Sequence, residues 1–209
     1  MTSAIQPRYE FRIFGNDLSK YEKKIVELSE KELTREMDSI YLLTPWRRKS
    51  NVKIRQGVMD IKHLEKEYEC LEQWNPFLVG SFPLAADVIK SVVFPALGIV
   101  CPVFERKKYS LKQFLNEVIS IDPDITVVYV WKTRHAYTLD GCITEVAEIK
   151  VNGASIKTIC IEAEDPEKVI SAKKTIGISK KVENVNYPLA MKRIMGLTEL
   201  PENWNNINF

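Results

Sequence analysis

The sequence has little of what several common sites are built from. Its 209 residues include only 2 His, 4 Cys and 8 Gly. His63 and His135 lie far apart and have no cysteine partners at zinc-finger spacing, which argues against a structural zinc. Cys70, Cys101, Cys142 and Cys160 are widely spaced with no CxxC. The stretch MTSAIQPRYEFR has no basic and then apolar leader character, so reduced thiols in a cytoplasmic protein are the expectation. No apolar run approaches the ~20 residues of a membrane-crossing helix. The longest apolar patch, around Val92 to Val103, is broken by Pro95, Gly98 and Pro102. GxxxxGK[ST], GxGxxG and GxSxG are absent, so P-loop, Rossmann and serine-hydrolase readings have no support. A basic excess is missing too. With Lys+Arg 30 against Asp+Glu 28, the net charge of +2 counts against general nucleic-acid binding. It leaves room for charge segregated within one site.

What is present is a soluble globular composition, 45% hydrophobic and 28% charged, of a length that suits one domain. Short strand patterns alternate with amphipathic helices. Tyr9 to Phe14 alternates apolar and charged residues and predicts a strand. Asn16 to Glu32 predicts a helix with Leu18, Tyr21, Ile25 and Leu28 on one face. Ser39 to Leu43, Asn51 to Gln56 and Val58 to His63 read as strands, the last two joined by a turn at Gly57. Glu67 to Trp74 is a possible further strand, and Leu84 to Val93 a helix capped by Ser81. Leu111 to Ser120 predicts a helix. Thr126 to Ala136, Cys142 to Val151 and Ile156 to Glu164 predict strands joined by hairpins at Asp140-Gly141 and Asn152-Gly153. Asp165-Pro166 opens a helix with Asp as N-cap and Pro at the first position. Tyr187 to Met195 reads as a short helix and Pro201 to Phe209 as a tail. The fold class expected is α+β, an antiparallel barrel or sandwich with helices on it.

The charges on these strands fall on single faces, since alternate side chains point to opposite sides. Arg8, Glu10 and Arg12 share one face of the first strand, and Tyr9, Phe11 and Ile13 the other. Lys53 and Arg55 oppose Val52 and Ile54; Asp60 and Lys62 oppose Ile61. Lys132 and Arg134 share a face, as do Glu162 and Glu164. A merely solvated face has no need of like-signed pairs at i and i+2. If the sheet closes with these faces inward, basic walls confront acidic ones and the apolar outside needs the helices as cover. Such an interior suits a polyphosphate, with Lys and Arg on phosphoryl oxygens and carboxylates on a hard divalent cation.

This order of motifs resembles the CYTH superfamily, the triphosphate tunnel metalloenzymes. That family opens with an ExExK strand, matched here by Arg8-Tyr9-Glu10-Phe11-Arg12, in which Arg8 replaces the leading Glu and Arg12 the Lys. Val52-Lys53-Ile54-Arg55 resembles its LRxR strand, and Met59-Asp60-Ile61-Lys62 its LxLK strand. Lys132-Thr133-Arg134 matches KxR, and Glu162-Ala163-Glu164 the terminal ExE. Glu145, or Glu148 in the other register, matches the acidic strand between them. Glu67, Glu69 and Glu72 stand where the family has an acidic cluster. The resemblance covers a core of about residues 8–177 within a single domain 1–209, followed by a C-terminal helix and tail from about 178. It implies an antiparallel barrel, a tunnel with a charged interior covered by amphipathic helices.

For function, the resemblance implies a hydrolase of inorganic triphosphate or a small organic triphosphate, such as thiamine triphosphate or a nucleotide, dependent on Mg²⁺ or Mn²⁺. Glu10, Glu162 and Glu164 are then the metal ligands. Arg12, Lys53, Arg55, Lys62, Lys132 and Arg134 bind phosphate, and Glu145, Lys62 and Arg134 take part in catalysis. The alternatives are a CYTH-type adenylate cyclase and a non-catalytic polyphosphate or nucleotide sensor, which the replacement at Arg8 keeps open. A small triphosphate is the expected partner, with no nucleic acid, no membrane and a possible homodimer. His63, Trp46, Trp74, Trp131, Tyr137 and Tyr187 read as packing residues. Arg106 to Lys108 reads as a solvated turn.

Overall fold

The computed structural model describes residues 6–198. Eight of its strands form a closed antiparallel barrel. These are β1 (Tyr9–Gly15), β2 (Leu33–Leu43), β3 (Ser50–Arg55), β4 (Val58–Tyr68), β5 (Leu71–Ser81), β8 (Thr126–Leu139), β9 (Cys142–Val151) and β10 (Ala154–Ala163). Around the barrel they run β1-β10-β9-β8-β2-β3-β4-β5. Two short strands, β6 (Leu84–Ala85) and β7 (Lys108–Tyr109), pair apart from it. The helices are α1 (Ser19–Leu28), α2 (86–97), α3 (111–119), α4 (Pro166–Ile176) and α5 (Tyr187–Ile194); the middle of α2 and the C-terminal part of α3, Phe114–Ile119, widen into π-type turns. The expected tail Pro201 to Phe209 lies outside the described residues.

Local chemistry accounts for the connections. Asp140-Gly141 and Asn152-Gly153 both hold positive φ at each position, the geometry that matches strand twist in a two-residue hairpin. Asp165 caps α4 by accepting from the Glu167 N–H at 3.0 Å, with Pro166 at its first position. Asn186 caps α5 in the same way.

Several expected boundaries differ. The helix expected from Asn16 to Glu32 covers only Ser19–Leu28, because the chain extends after Ser29 into a long β2. Glu67 to Trp74 is no separate strand. It spans the end of β4, a turn at Glu69 and Cys70, and the start of β5. Ser81 ends β5 rather than capping a helix; Leu84–Ala85 is a strand, and α2 starts behind Ala85. β10 stops at Ala163, which leaves Glu164 in the bend beyond it.

Three apolar clusters hold this arrangement. On one outer flank Phe11, Ile13, Ile159 and Ile161 pack under Val169, Ala172 and Ile176 of α4 and Ile25 of α1. On the opposite flank Val52, Ile54, Met59 and Ile61 pack under Phe94 of α2 and Phe114 of α3. The third cluster lies on the inward side of the sheet. Tyr41, Leu43, Val128, Val130, Ile149 and Val151 meet Tyr187, Ala190 and Met191 of α5. Helix α5 therefore closes one end of the barrel with apolar side chains, and the charged interior lies beyond it.

Candidate functional site

Directly paired residues of antiparallel strands share a face, so the register lays out the interior. Glu10 pairs with Glu162 on one side and with Glu72 on the other, a row of three carboxylates across β5, β1 and β10. Arg12 pairs with Cys160, and Cys160 with Glu145. Across the barrel Tyr41 pairs with Lys53, Lys53 with Asp60, and Asn51 with Lys62. Arg35 stands directly opposite Arg134. These faces enclose a cavity of about 240 Å³, lined by seven cationic side chains and three carboxylates. All six expected phosphate-binding residues line it: Arg12, Lys53, Arg55, Lys62, Lys132 and Arg134. Glu10, Glu145 and Glu162 are the three carboxylates.

Glu145 sits at the centre of the basic wall. It accepts from Arg12 Nη1 at 2.9 Å and from Lys132 Nζ at 2.6 Å. Arg134 Nε lies 2.7 Å from its other oxygen, but that N–H finds no hydrogen-bond partner, so the contact is an ion pair alone. Burial by itself raises a carboxyl pKa. Here Arg12 and Lys132 overcome it and hold Glu145 down at about 2. Glu10 is lowered for the same reason, since burial is outweighed by the charge and hydrogen bond of Arg12, whose Nε lies 2.8 Å away. Glu162 and Glu72 go the other way, raised first by burial and further by the neighbouring Glu10 charge. Lys53 is only 2% exposed. Burial, followed by the charge of Arg55, lowers its ammonium to about 7, although Asp60 lies 3.1 Å away.

The remaining expected residues fall as follows. Glu164 is exposed, does not line the cavity and stands one residue past β10. Glu148 is exposed on the outer face, opposite in parity to Glu145. Of the mid-chain acids only Glu72 is half-buried; its carboxylate accepts from Trp74 Nε1 at 3.0 Å and from Asn186 Nδ2 at 3.0 Å. Trp74 lines the cavity rather than serving only as packing, while Trp46 and Trp131 are half exposed. Tyr137 is buried in the outer cluster, and His63 is hydrogen-bonded to Ser50 at 3.0 Å. Arg106 pairs with Glu117 on the surface.

Some lining residues were not singled out from the sequence. Arg35 lies in a stretch whose outward residues are also polar, so no alternation marks it. Asn51 precedes Lys53 and Arg55 by parity alone, and Tyr41 stands among the apolar residues that end its strand. Tyr187, expected from the sequence to serve only in packing, lines the cavity as its floor. Its ring stacks on Tyr41 at 5.6 Å and lies under Arg12 at 4.7 Å and Lys132 at 5.3 Å. The Tyr187 hydroxyl, Asn51 Oδ1 and Arg134 Nε are all buried without hydrogen-bond partners. The Tyr187 hydroxyl and Arg134 Nε are donors that an anionic ligand could satisfy, whereas Asn51 Oδ1 is an acceptor that needs a donor such as water.

Among the described residues, no group of three or more His, Cys, Asp or Glu side chains is arranged to hold a metal ion unaided. Mg²⁺ ordinarily takes one or two carboxylates and completes its shell with water and substrate phosphates. Glu10 and Glu162, neighbours across β1 and β10, supply that smaller set of hard oxygen donors, so the residues present fit a cation that enters with a phosphate ligand.

No family model and no curated protein matches the chain. Solved structures do. A proposed adenylyl cyclase from Hippeastrum, described as having a dominant triphosphatase activity, matches at 16% identity and a TM-score of 0.52. The match covers 93% of this chain and 98% of that one. A proposed adenylate cyclase from Bacillus halodurans matches at 13% identity and a TM-score of 0.46, over 88% and 97% of the two chains. A conserved protein of Pyrococcus furiosus described as hypothetical matches at 19% and 0.47, over 86% and 98%. The first of these establishes a shared fold across nearly the whole chain. It is the closed, helix-covered barrel that the resemblance to the CYTH superfamily implied.

Proposed function

We propose that the barrel binds a small triphosphate in its charged interior, together with Mg²⁺ or Mn²⁺, and hydrolyses a phosphoanhydride bond. The observation that carries this is the seven-to-three excess of cationic side chains over carboxylates in one cavity, with Arg35 directly opposite Arg134 in the register. Like charges placed directly opposite are destabilising in a sheet, and an anionic ligand would offset that repulsion. The cavity of about 240 Å³ is smaller than the ~300–1,000 Å³ of sites that enclose a drug-sized ligand. Inorganic triphosphate asks for less enclosed space than thiamine triphosphate or a nucleotide. This favours inorganic triphosphate as the first substrate to test. The activity described for the Hippeastrum protein supports testing hydrolysis before cyclisation.

Phosphoryl transfer asks the protein for positioning and for charges preorganised around the transferred group. Lys132, Arg134, Arg55 and Lys62 would hold the phosphate oxygens, and Arg35 closes the ring. A divalent cation on Glu10 and Glu162 would neutralise phosphate charge and polarise the scissile bond. We assign Glu145 a positioning role. A carboxylate held at about 2 is a weak base near neutral pH, but it fixes Arg12, Lys132 and Arg134 in one orientation.

The test is to incubate the pure protein with inorganic triphosphate, thiamine triphosphate and nucleoside triphosphates, each with Mg²⁺ or Mn²⁺, and to measure phosphate, pyrophosphate and cyclic nucleotide. Phosphate release that Glu162→Gln abolishes is the expected result. Pyrophosphate with cyclic AMP would assign the cyclase reaction instead. Thermal stabilisation by triphosphate without turnover would assign a sensor. No stabilisation and no turnover would remove the triphosphate reading.

A further inference from the structure

The acidic end of the tunnel already holds a cation of the protein's own. Arg8 was expected on the first strand but lies one residue before β1, which begins at Tyr9. Its Nη1 is 3.7 Å from Glu162 Oε2, and among the described residues it is the cationic group that lies within 4 Å of that carboxylate. Arg8, Glu10, Lys62, Trp74 and Glu162 border a recess of about 60 Å³ beside the main cavity. The other two carboxylates of the row are also engaged, Glu10 by Arg12 and Glu72 by Trp74 and Asn186. Each acid in the row thus has a positive or hydrogen-bonding partner supplied by the chain itself.

A divalent ion approaching Glu162 meets a guanidinium of the same sign 3.7 Å from that carboxylate. A polyphosphate entering the same end meets a further anchor suited to bidentate hydrogen bonding. The Arg8 side chain is 38% exposed, so it is free to turn from the carboxylate to an anion.

We propose that Arg8 is a built-in counter-ion that allows this tunnel to bind inorganic polyphosphate without a divalent metal, and that it must leave Glu162 before a metal can use that carboxylate. This rests on the triphosphate reading above and specifies how that site is charged when empty. It predicts weak binding of metal alone and strong binding of the anion alone.

The whole chain is titrated with sodium tripolyphosphate by calorimetry, in excess EDTA and again with Mn²⁺. Mn²⁺ alone is titrated by electron paramagnetic resonance. Wild type is compared with Arg8→Gln, and with Arg8→Lys as the conservative variant. In EDTA, wild type binds tripolyphosphate within about tenfold of its affinity with Mn²⁺, and Arg8→Gln loses about tenfold or more, as for one charged hydrogen-bond donor. Arg8→Gln gains affinity for Mn²⁺ alone, and Arg8→Lys behaves as wild type on both counts. The proposal is overturned if wild type binds tripolyphosphate only with Mn²⁺. It is also overturned if Arg8→Gln changes neither affinity. Those outcomes leave the triphosphate site standing, whereas absence of binding under every condition removes both.

Discussion

Arg35 and Lys53 show at the scale of single residues how the interior is set up for an anion. Arg35 is exposed and faces Arg134 across β2 and β8, a like-charged pairing that does nothing to hold the empty fold together. Arg35→Ala is therefore expected to leave the melting temperature unchanged or raised. It should also weaken tripolyphosphate binding roughly 10–100-fold, the usual worth of a hydrogen bond to a charged group. Calorimetry and a thermal melt on the same sample check both halves, and a lowered melting temperature with unchanged affinity would contradict this role. Lys53 faces Tyr41 of β2 and Asp60 of β4, with Arg55 and Lys62 beyond. An unfolded lysine keeps its proton to ~10.4, whereas in the fold Lys53 gives it up at about 7. Between those values the unfolded chain binds more protons, so this residue makes stability rise with pH; below about 7 its burial penalty is fully expressed. Lys53→Met should accordingly gain most over wild type near neutral pH and lose that advantage as pH rises. Because an anion favours the charged form, tripolyphosphate binding above about pH 7 should take up a proton. The dependence of binding enthalpy on buffer ionisation measures this, and zero uptake would contradict it. The sequence marked Lys53 by its partner Arg55 at i+2. It hid Arg35, because Thr34, Glu36 and Asp38 on the outward face of the same strand are polar as well.

At the scale of elements, α5 is the piece that turns a tube into a closed-bottomed site. Met191 is fully buried against inward-facing strand residues, and Met191→Ala should cost roughly 2–5 kcal/mol by leaving a cavity. Asn186 caps α5 and also holds the Glu72 carboxylate, at 3.0 and 3.1 Å. Asn186→Ala should cost about 1 kcal/mol from the cap, measured by denaturant unfolding, and it should raise the Glu72 pKa further by removing a donor to its ionised form. A variant as stable as wild type would show that the cap is not holding the helix. The strands with apolar outer faces and like-signed inner pairs were legible in sequence, as were the hairpins at Asp140-Gly141 and Asn152-Gly153. So was α4, from Asp165 and Pro166. The N-terminal half of β2 was not, since water bathes one side and a charged cavity the other, which erases alternation. Nor was the helical reading of 16–32 correct in extent, because apolar spacing cannot show where tertiary pairing with β8 captures the chain. The placement of α5 inside the barrel end was also hidden. Its apolar face reads the same whether it covers the sheet from outside or plugs it.

At the scale of the whole molecule, a net charge of +2 conceals an interior where cations outnumber carboxylates seven to three. Register explains how this came to be partly readable. Closing eight strands with one parity inward collects residues as distant in sequence as Glu10, Lys53 and Arg134 into one cavity. The same closure could not be read for Glu164, which the strand pattern includes but the bend after Ala163 releases to solvent. The central claim is that this interior is a binding site for a triphosphate chain, and titration calorimetry of inorganic tripolyphosphate against orthophosphate tests it most directly. One site per chain is predicted, with tripolyphosphate bound much more tightly than orthophosphate. The double variant Arg35→Ala/Arg134→Ala should lose it while keeping its fold by circular dichroism. Equal and weak binding of the two anions, or full retention of tripolyphosphate by the double variant, would contradict the account.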